Sequence, residues 1–290
     1  MINLLGVSVR FHPLFMIILI TSVITGHFLE LLTLFAIVFV HEMGHFITAK
    51  GFGWNVREVR FLPFGGVAVV DDQGNIPARE DIAVALAGPL QNFLLAAFAL
   101  VMEWTRIWSA EWVHYFIQSN LLIGLFNLLP VLPLDGGKIM QSVMSLWLPY
   151  HKAILITAWV SFILGAFIVA FSLLPVAGEG IHLNLLLIGM FLTYANWVDL
   201  RNIPYHFLRF LTHREERAAK MMANGTLAQP IVVSGRERVA DIVRLFMRER
   251  YHLVFVINAR GRVQAVLPEQ RLIDTILLHN RPRSLISDIL

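Results

Sequence analysis

Residues 28–50 read FLELLTLFAIVFVHEMGHFITAK. The run is long and apolar enough for a membrane-spanning helix, which needs about 20 predominantly apolar residues. Its second half nevertheless carries His41, Glu42 and His45. Ionisable groups inside a span are costly and mark function by default. The stretch therefore asks two questions: whether the rest of the chain is also membrane protein, and what completes the polar cluster.

Composition answers the first. Of 290 residues 57% are hydrophobic and 15% charged, and the mean hydropathy is +0.67. Soluble domains sit nearer half apolar and a quarter charged, so the chain reads as an integral membrane protein. Spans are expected at about 11–27, 28–50, 81–104, 111–133, 152–175 and 180–200, six in all. The first apolar run lacks a small-residue cleavage site and is expected to be a retained span. With no cysteine, disulfides, thiolate metal sites and cysteine nucleophiles are excluded.

Charge divides the chain near residue 200. Residues 201–290 hold fifteen Lys and Arg against eight Asp and Glu, whereas 1–200 hold eight against twelve. This predicts a membrane domain over 1–200, a basic amphipathic linker over 201–224 lying along the anionic leaflet, and a small α/β domain over 225–290. A cytoplasmic N-terminus puts Arg10, Lys50, Arg57, Arg60, Arg79, Lys138, Lys152 and the basic tail inside, leaving Arg106 outside. The tail's arginines suit a membrane-facing surface rather than nucleic-acid readout. Residues 54–70, WNVREVRFLPFGGVAVV, alternate around Pro63 and Gly65-Gly66 and predict a short β-hairpin at the cytoplasmic face. Its edge is able to pair with an extended peptide or simply to join two spans.

H-E-x-x-H on a helix places two imidazoles one turn apart on one face, where both can ligate one zinc. The intervening glutamate can then act as general base. The competing reading, two core histidines beside a buried glutamate, leaves three polar groups in need of partners. A catalytic zinc site needs a third protein ligand, and residues 127–138, NLLPVLPLDGGK, offer Asp135. The expected spans over 28–50 and 111–133 run in the same direction, so His41, His45 and Asp135 reach one depth near the cytoplasmic face. Pro130 and Pro133 break the helix, and Gly136-Gly137 permit close backbone approach. Asn127 is a candidate oxyanion or substrate-positioning group, or alternatively an interhelical hydrogen-bonding residue. Asn92, in AGPLQN, is a weaker candidate of the same kind, with Gly88-Pro89 expected to mark a kink. His114, His151, His182, His206 and His213 lie at span ends or in the tail and are assigned no ligand role.

HEMGH in one span with PLDGG after another resembles the site-2 protease family of intramembrane zinc metalloproteases over roughly residues 1–200. The resemblance implies zinc held by His41, His45 and Asp135, Glu42 as base, and cleavage of a peptide bond in or near a substrate's membrane segment. FLPFGG after the metal helix, NLLPVLPLDGGK, the absence of a PDZ insert and the cytoplasmic tail resemble the sporulation members of that family. This closer likeness implies processing of pro-sigma-K and inhibition by two membrane partners, the sporulation proteins FA (SpoIVFA) and BofA.

Within the tail, TLAQPIVVSGRERVADIVRLFMRERYHLVFVINARGRVQAVLPEQ is similar to a single cystathionine-β-synthase (CBS) repeat. Strands are expected at 231–233, 253–257 and 262–266, with helices at 239–250 and 268–279. That likeness implies pairing between chains, and hence a homo-oligomer, with ATP as a ligand; a plain docking module is the alternative. The whole is thus expected to be a multi-pass α-helical membrane protein with a short hairpin and a CBS-like cytoplasmic domain. The competing functions are a prenyl-peptide-type protease, which would be expected to use a glutamate as third ligand, and a membrane-anchored nucleotide sensor with an inert core.

Overall fold

The computed structural model describes residues 2–4, 7–11, 22–62, 65–70, 76–175, 182–223, 225–278 and 284–290. The chain forms two compact units. One comprises Met1–Gln73, Arg79–Pro130 and Leu134–Ile139; the other comprises Gly74–Ala78, Val131–Pro133 and Met140–Leu290.

In the first unit, β1 (Ile2–Leu4), β2 (Val7–Phe11), β3 (Val56–Leu62) and β4 (Gly65–Val70) form a sheet in that order. β3 and β4 are the expected hairpin, paired antiparallel and closing at Leu62 opposite Gly65. The sheet is wider than expected, because β2 runs parallel to β3 from Ser8 opposite Glu58 to Phe11 opposite Phe61. α1 (Phe28–Gly51) is the quoted stretch. It ends where Gly53 takes φ +78°, which lets the Trp54 N–H reach the Ala49 carbonyl (3.0 Å) and the Gly53 N–H reach Lys50 (2.9 Å). This left-handed termination is easiest for glycine. α2 (Ala78–Trp104) and α3 (Ala110–Asn127) follow. A side chain at Gly44 would meet the Ala87 carbonyl oxygen at 2.7 Å, so α1 and α2 approach with backbones in contact. Small residues permit this approach, which supplies dispersion contacts between helices where lipid removes the hydrophobic drive.

Four described helices are long and apolar enough to cross a membrane: α1, α2, α5 (Tyr150–Ser172) and α6 (Leu183–Thr212). They coincide with four of the six expected spans. The span expected over 111–133 is the 18-residue α3, which stops at Asn127 before Pro130. That expected over 11–27 lies mainly outside the described residues. Asp135 does not end a span; it opens a separate helix, α4 (Asp135–Trp147). After the two prolines break the chain, helix restarts with a carboxylate in its first turn, where unpaired N–H groups favour negative charge.

In the second unit, α5 and α6 pack tightly at small residues: Gly165 faces Thr193, and Gly189 faces Ile168 and Val169. Leu132 is held through both its backbone groups. Its N–H donates to Ser161 Oγ (2.9 Å) and its carbonyl accepts from Asn196 Nδ2 (2.6 Å). Residues 201–212, expected to open a linker helix, are the last three turns of α6, which inserts Phe210 and Leu211 into the core of the tail. Only α7 (Arg214–Ala223) is separate.

The tail holds a three-stranded sheet of β5 (Ala228–Ser234), β6 (Tyr251–Ile257) and β7 (Val263–Pro268). β5 and β6 are parallel, and β6 and β7 antiparallel. α8 (Val239–Val243) and α9 (Glu269–Leu277) cover it, with Val239, Phe246, Val254, Val256 and Leu272 fully buried between them. The helix expected over 239–250 is thus only five residues long. Past it, Arg214 takes the backbone carbonyls of Met247, Arg248 and Arg250. Arg214 also pairs with Glu269 (2.9 Å), both wholly buried, and Arg217 with Glu249. These arginines were expected to face a membrane surface. They instead satisfy buried acceptors, because burying a guanidinium requires paired charge and filled donor sites.

Candidate metal centre

The one-turn spacing of His41 and His45 on α1 brings their Nε2 atoms to 3.1 Å. Asp135 Oδ2 lies 3.2 Å from the first and 3.0 Å from the second. All three residues are buried. Among the described residues they form the one group of this kind able to hold a metal ion, with ligand atoms within 4.8 Å of one another. The histidines at span ends and in the tail do not join it. Lys138, one turn along α4, takes the other oxygen of the aspartate, Nζ to Oδ1 at 3.0 Å, leaving Oδ2 to face the histidines.

The outer nitrogens of the imidazoles fix what the inner ones present. His45 Nδ1 lies 2.7 Å from the Val84 carbonyl oxygen, which only accepts, so Nδ1 carries the proton and Nε2 of the neutral ring is a lone pair. His41 Nδ1 lies 2.5 Å from Asn92 Oδ1, with the same consequence. Three electron-rich atoms therefore converge. Asp135 Oδ2, though buried, receives no well-aligned hydrogen bond. An orphaned carboxylate oxygen between two imidazole lone pairs fits a cation, and two nitrogens with one oxygen is a zinc donor set.

α2 supplies the other wall. Val84, Gly88 and Asn92 recur at four-residue spacing and so form one stripe of the helix. A side chain at Gly88 would strike Nε2 and Cε1 of His45, and would meet Nε2 of His41 at 2.7 Å. Glycine there leaves the space into which the rings project. Gly136 has a similar reason: a side chain would strike the Leu128 and Leu129 carbonyls, so the turn carrying Asp135 folds back on the end of α3.

Glu42 is half-buried, and both it and Asp135 place negative charge near Lys138. Asn127 does not point its amide at the triad: Nδ2 donates to the Ile123 carbonyl of its own helix at 3.0 Å. Sequence reasoning missed Val84, Asn120 and the Lys138–Asp135 pair, and it took Gly88 for part of a kink. The HExxH spacing and the three-residue spacing of Asp135 and Lys138 are local; on α2 the available signal was Gly88 and Asn92, four residues apart.

Comparison with known proteins agrees with this geometry. The model of peptidase family M50 matches residues 29–107 and 102–171. Stage IV sporulation protein FB of Bacillus subtilis (strain 168) is 29% identical over 295 aligned residues, covering 98% of this chain and 96% of that protein. Zinc metalloprotease MJ0392 of Methanocaldococcus jannaschii is 28% identical over 67% of this chain and 58% of its own length. Among solved structures, the site-2 protease from Methanocaldococcus jannaschii superposes with a TM-score of 0.55 at 26% identity, covering 69% of this chain and 94% of that one. With matched segments that begin in the HExxH helix and run past the aspartate turn, the chain belongs to the site-2 proteases of peptidase family M50 and is an intramembrane zinc metalloendopeptidase.

Proposed function

We propose that this protein cleaves a membrane-associated protein precursor from the cytoplasmic side of the membrane, and that the precursor is pro-sigma-K. The observation that carries the proposal is the likeness to stage IV sporulation protein FB along nearly the whole of both chains, tail included. His41, His45 and Asp135 would hold zinc, which when bound supplies a Lewis acid that polarises the scissile carbonyl and acidifies water. Glu42 takes a proton from the attacking water and delivers it to the departing amine nitrogen as the peptide bond breaks. Asn92 and the Val84 carbonyl keep the imidazole lone pairs aimed inward. Asn127 becomes an oxyanion donor only on releasing Ile123. β4 forms one edge of its sheet and packs against α1, which supports docking of an extended peptide beside the site by strand addition.

The same reading makes residues 1–200 the protease domain and both termini cytoplasmic, on the mother-cell side of the membrane around the forespore. The sporulation proteins FA and BofA act as inhibitory membrane partners. Residues 225–290 serve as a CBS-like module that pairs between chains and takes ATP. Parallel β5–β6, antiparallel β7 and two covering helices are compatible with such a module.

Coexpression of pro-sigma-K with the wild-type chain and with Glu42→Gln tests the central claim. A shortened product with wild type alone is expected, with zinc retained in the variant. Equal cleavage by both would overturn the role of Glu42, and no cleavage by either would overturn the substrate. Addition of ATP to the full chain should change its thermal midpoint or oligomeric state, and no change at millimolar ATP would leave the tail a docking module.

A further inference from the structure

We infer that Asn92 and Asn120 form a directional hydrogen-bond relay that holds His41 in the tautomer and orientation needed to bind a metal. The inference rests on the reading of His41 as a metal ligand. Both asparagines are wholly buried, in α2 and α3, away from water that could otherwise satisfy their amides. Asn120 Nδ2 donates to the Phe116 carbonyl at 2.9 Å. Asn92 Nδ2 donates to Asn120 Oδ1 at 3.3 Å, and His41 Nδ1 donates to Asn92 Oδ1 at 2.5 Å.

The direction of this chain follows from its far end. A carbonyl only accepts, so Asn120 must turn its NH2 toward Phe116 and its oxygen toward Asn92. Asn92 must then turn its NH2 toward Asn120 and its oxygen toward His41. The oxygen facing His41 fixes the imidazole proton on Nδ1 and leaves Nε2 as a lone pair. A backbone carbonyl on α3 thereby sets the protonation of a side chain on α1 through two amides whose orientations are forced. His45 needs no such relay, because the Val84 carbonyl does the same work directly.

Asn120 touches no atom of the triad, yet its loss should be felt there. In Asn120→Leu nothing anchors the Asn92 amide, which can rotate and offer its NH2 to His41. The imidazole proton then moves to Nε2 and opposes the metal. Asn92→Asp has no wrong orientation, since either carboxylate oxygen accepts from His41. The double variant Asn92→Asp/Asn120→Leu should therefore regain what Asn120→Leu loses. A purely packing role predicts the opposite, damage that accumulates.

The experiment measures zinc affinity of the purified full-length chain in detergent by chelator competition, with cobalt(II) absorption as a second readout of ligand geometry. Asn92→Leu and Asn120→Leu should each weaken zinc binding about 10- to 100-fold, the range for lost metal-supporting partners. The double variant should bind within a fewfold of wild type and show its cobalt spectrum. Affinities within twofold of wild type for both leucine variants, or a double variant weaker than Asn120→Leu, would overturn the relay. His41→Ala separates this from the underlying site: unchanged zinc binding in that variant refutes the metal centre itself. Should Asn92→Leu fail to fold, the comparison of Asn120→Leu with the double variant decides alone.

Discussion

His41 and Asp135 stand at opposite ends of a chain segment that includes two helices and a sheet hairpin, and Nε2 of one lies 3.2 Å from Oδ2 of the other. In the tautomer with the proton on Nδ1, His41 turns a lone pair toward that oxygen. His41 commits its proton to Asn92, and the carboxylate is held by Lys138 through its other oxygen. A lone pair facing a carboxylate oxygen at this distance is an arrangement that a cation between the two atoms would satisfy.

Asp135→Asn tests that statement. The amide keeps the volume and removes the anionic oxygen, leaving two neutral imidazoles. Zinc content of the purified chain, measured by elemental analysis after dialysis against a weak chelator, should fall from stoichiometric to trace. Full zinc occupancy would refute the aspartate as a ligand.

Gly88→Ala tests whether the space at Gly88 is needed by the two imidazoles. Alanine gains up to about 1 kcal/mol of helix propensity over glycine, but its methyl group would occupy the space held by the edges of both imidazoles. The rings cannot rotate away without losing Asn92 and Val84. Because that overlap is present without metal, the helix-propensity gain is outweighed by overpacking of about 1–3 kcal/mol, and the variant should lose some apo stability and bind zinc much more weakly. Unchanged zinc affinity would show that the rings relax freely.

Arg214→Met probes the tail. Arg214 and Glu269 are both wholly buried, and the guanidinium also serves three backbone carbonyls. Removing it takes the countercharge from a buried carboxylate that keeps only His252 as a partner among the described residues, a change that typically costs about 3–5 kcal/mol. Arg214→Met/Glu269→Leu should recover the part of that loss due to the unpaired charge, while the three carbonyls and His252 stay without their partners. Thermal unfolding or limited proteolysis of the tail reads out both variants; a double variant no better than the single would refute the pairing as the cause.

The tail should also lose stability in mild acid through His252. Its Nε2 accepts from the Met247 N–H (3.2 Å) and its Nδ1 donates to Glu269 (3.0 Å). A second proton would face a donor. Burial, aided by the Arg214 charge, pushes its pKa below the ordinary 6.5 despite the pull of Glu269. Glu269 is lowered as well: burial works to raise it, but the hydrogen bond from His252 and the Arg214 charge prevail. A lowered histidine means the unfolded chain binds the proton first. Its stabilising contribution is therefore complete above about pH 6.5 and declines as pH falls below it, by at most about 1.4 kcal/mol per pH unit for one proton. Unfolding midpoints of the tail should drop between pH 7 and 5.5, and His252→Gln should flatten that slope. An equal slope in the variant would assign the acid sensitivity elsewhere.

Much of the site was legible before any coordinates. HExxH puts two imidazoles on one helical face by periodicity alone, and an aspartate after a proline-broken helix end, at matching membrane depth, is a natural third ligand. The span at 28–50 and the hairpin at 54–70 followed from hydropathy and from alternation around Gly65-Gly66. The hidden part depended on neighbours. The tautomers of His41 and His45 are set by groups on α2, and a sequence does not tell which helix faces which. Asn127 looked like a catalytic amide from its position, but a neighbouring carbonyl on its own helix competes for it.

By itself, then, the sequence determined that the chain is a membrane protein, where its apolar helices run, and which residues are the candidates for metal chemistry, because these rest on composition and local period. The tertiary structure alone decided that Gly88 is space for two imidazoles, that Asp135 begins a helix rather than ending one, and that Arg214 is buried in the tail. In each case the outcome depends on desolvation and close contact between segments far apart in sequence, where a polar group must find a partner or a backbone must find room.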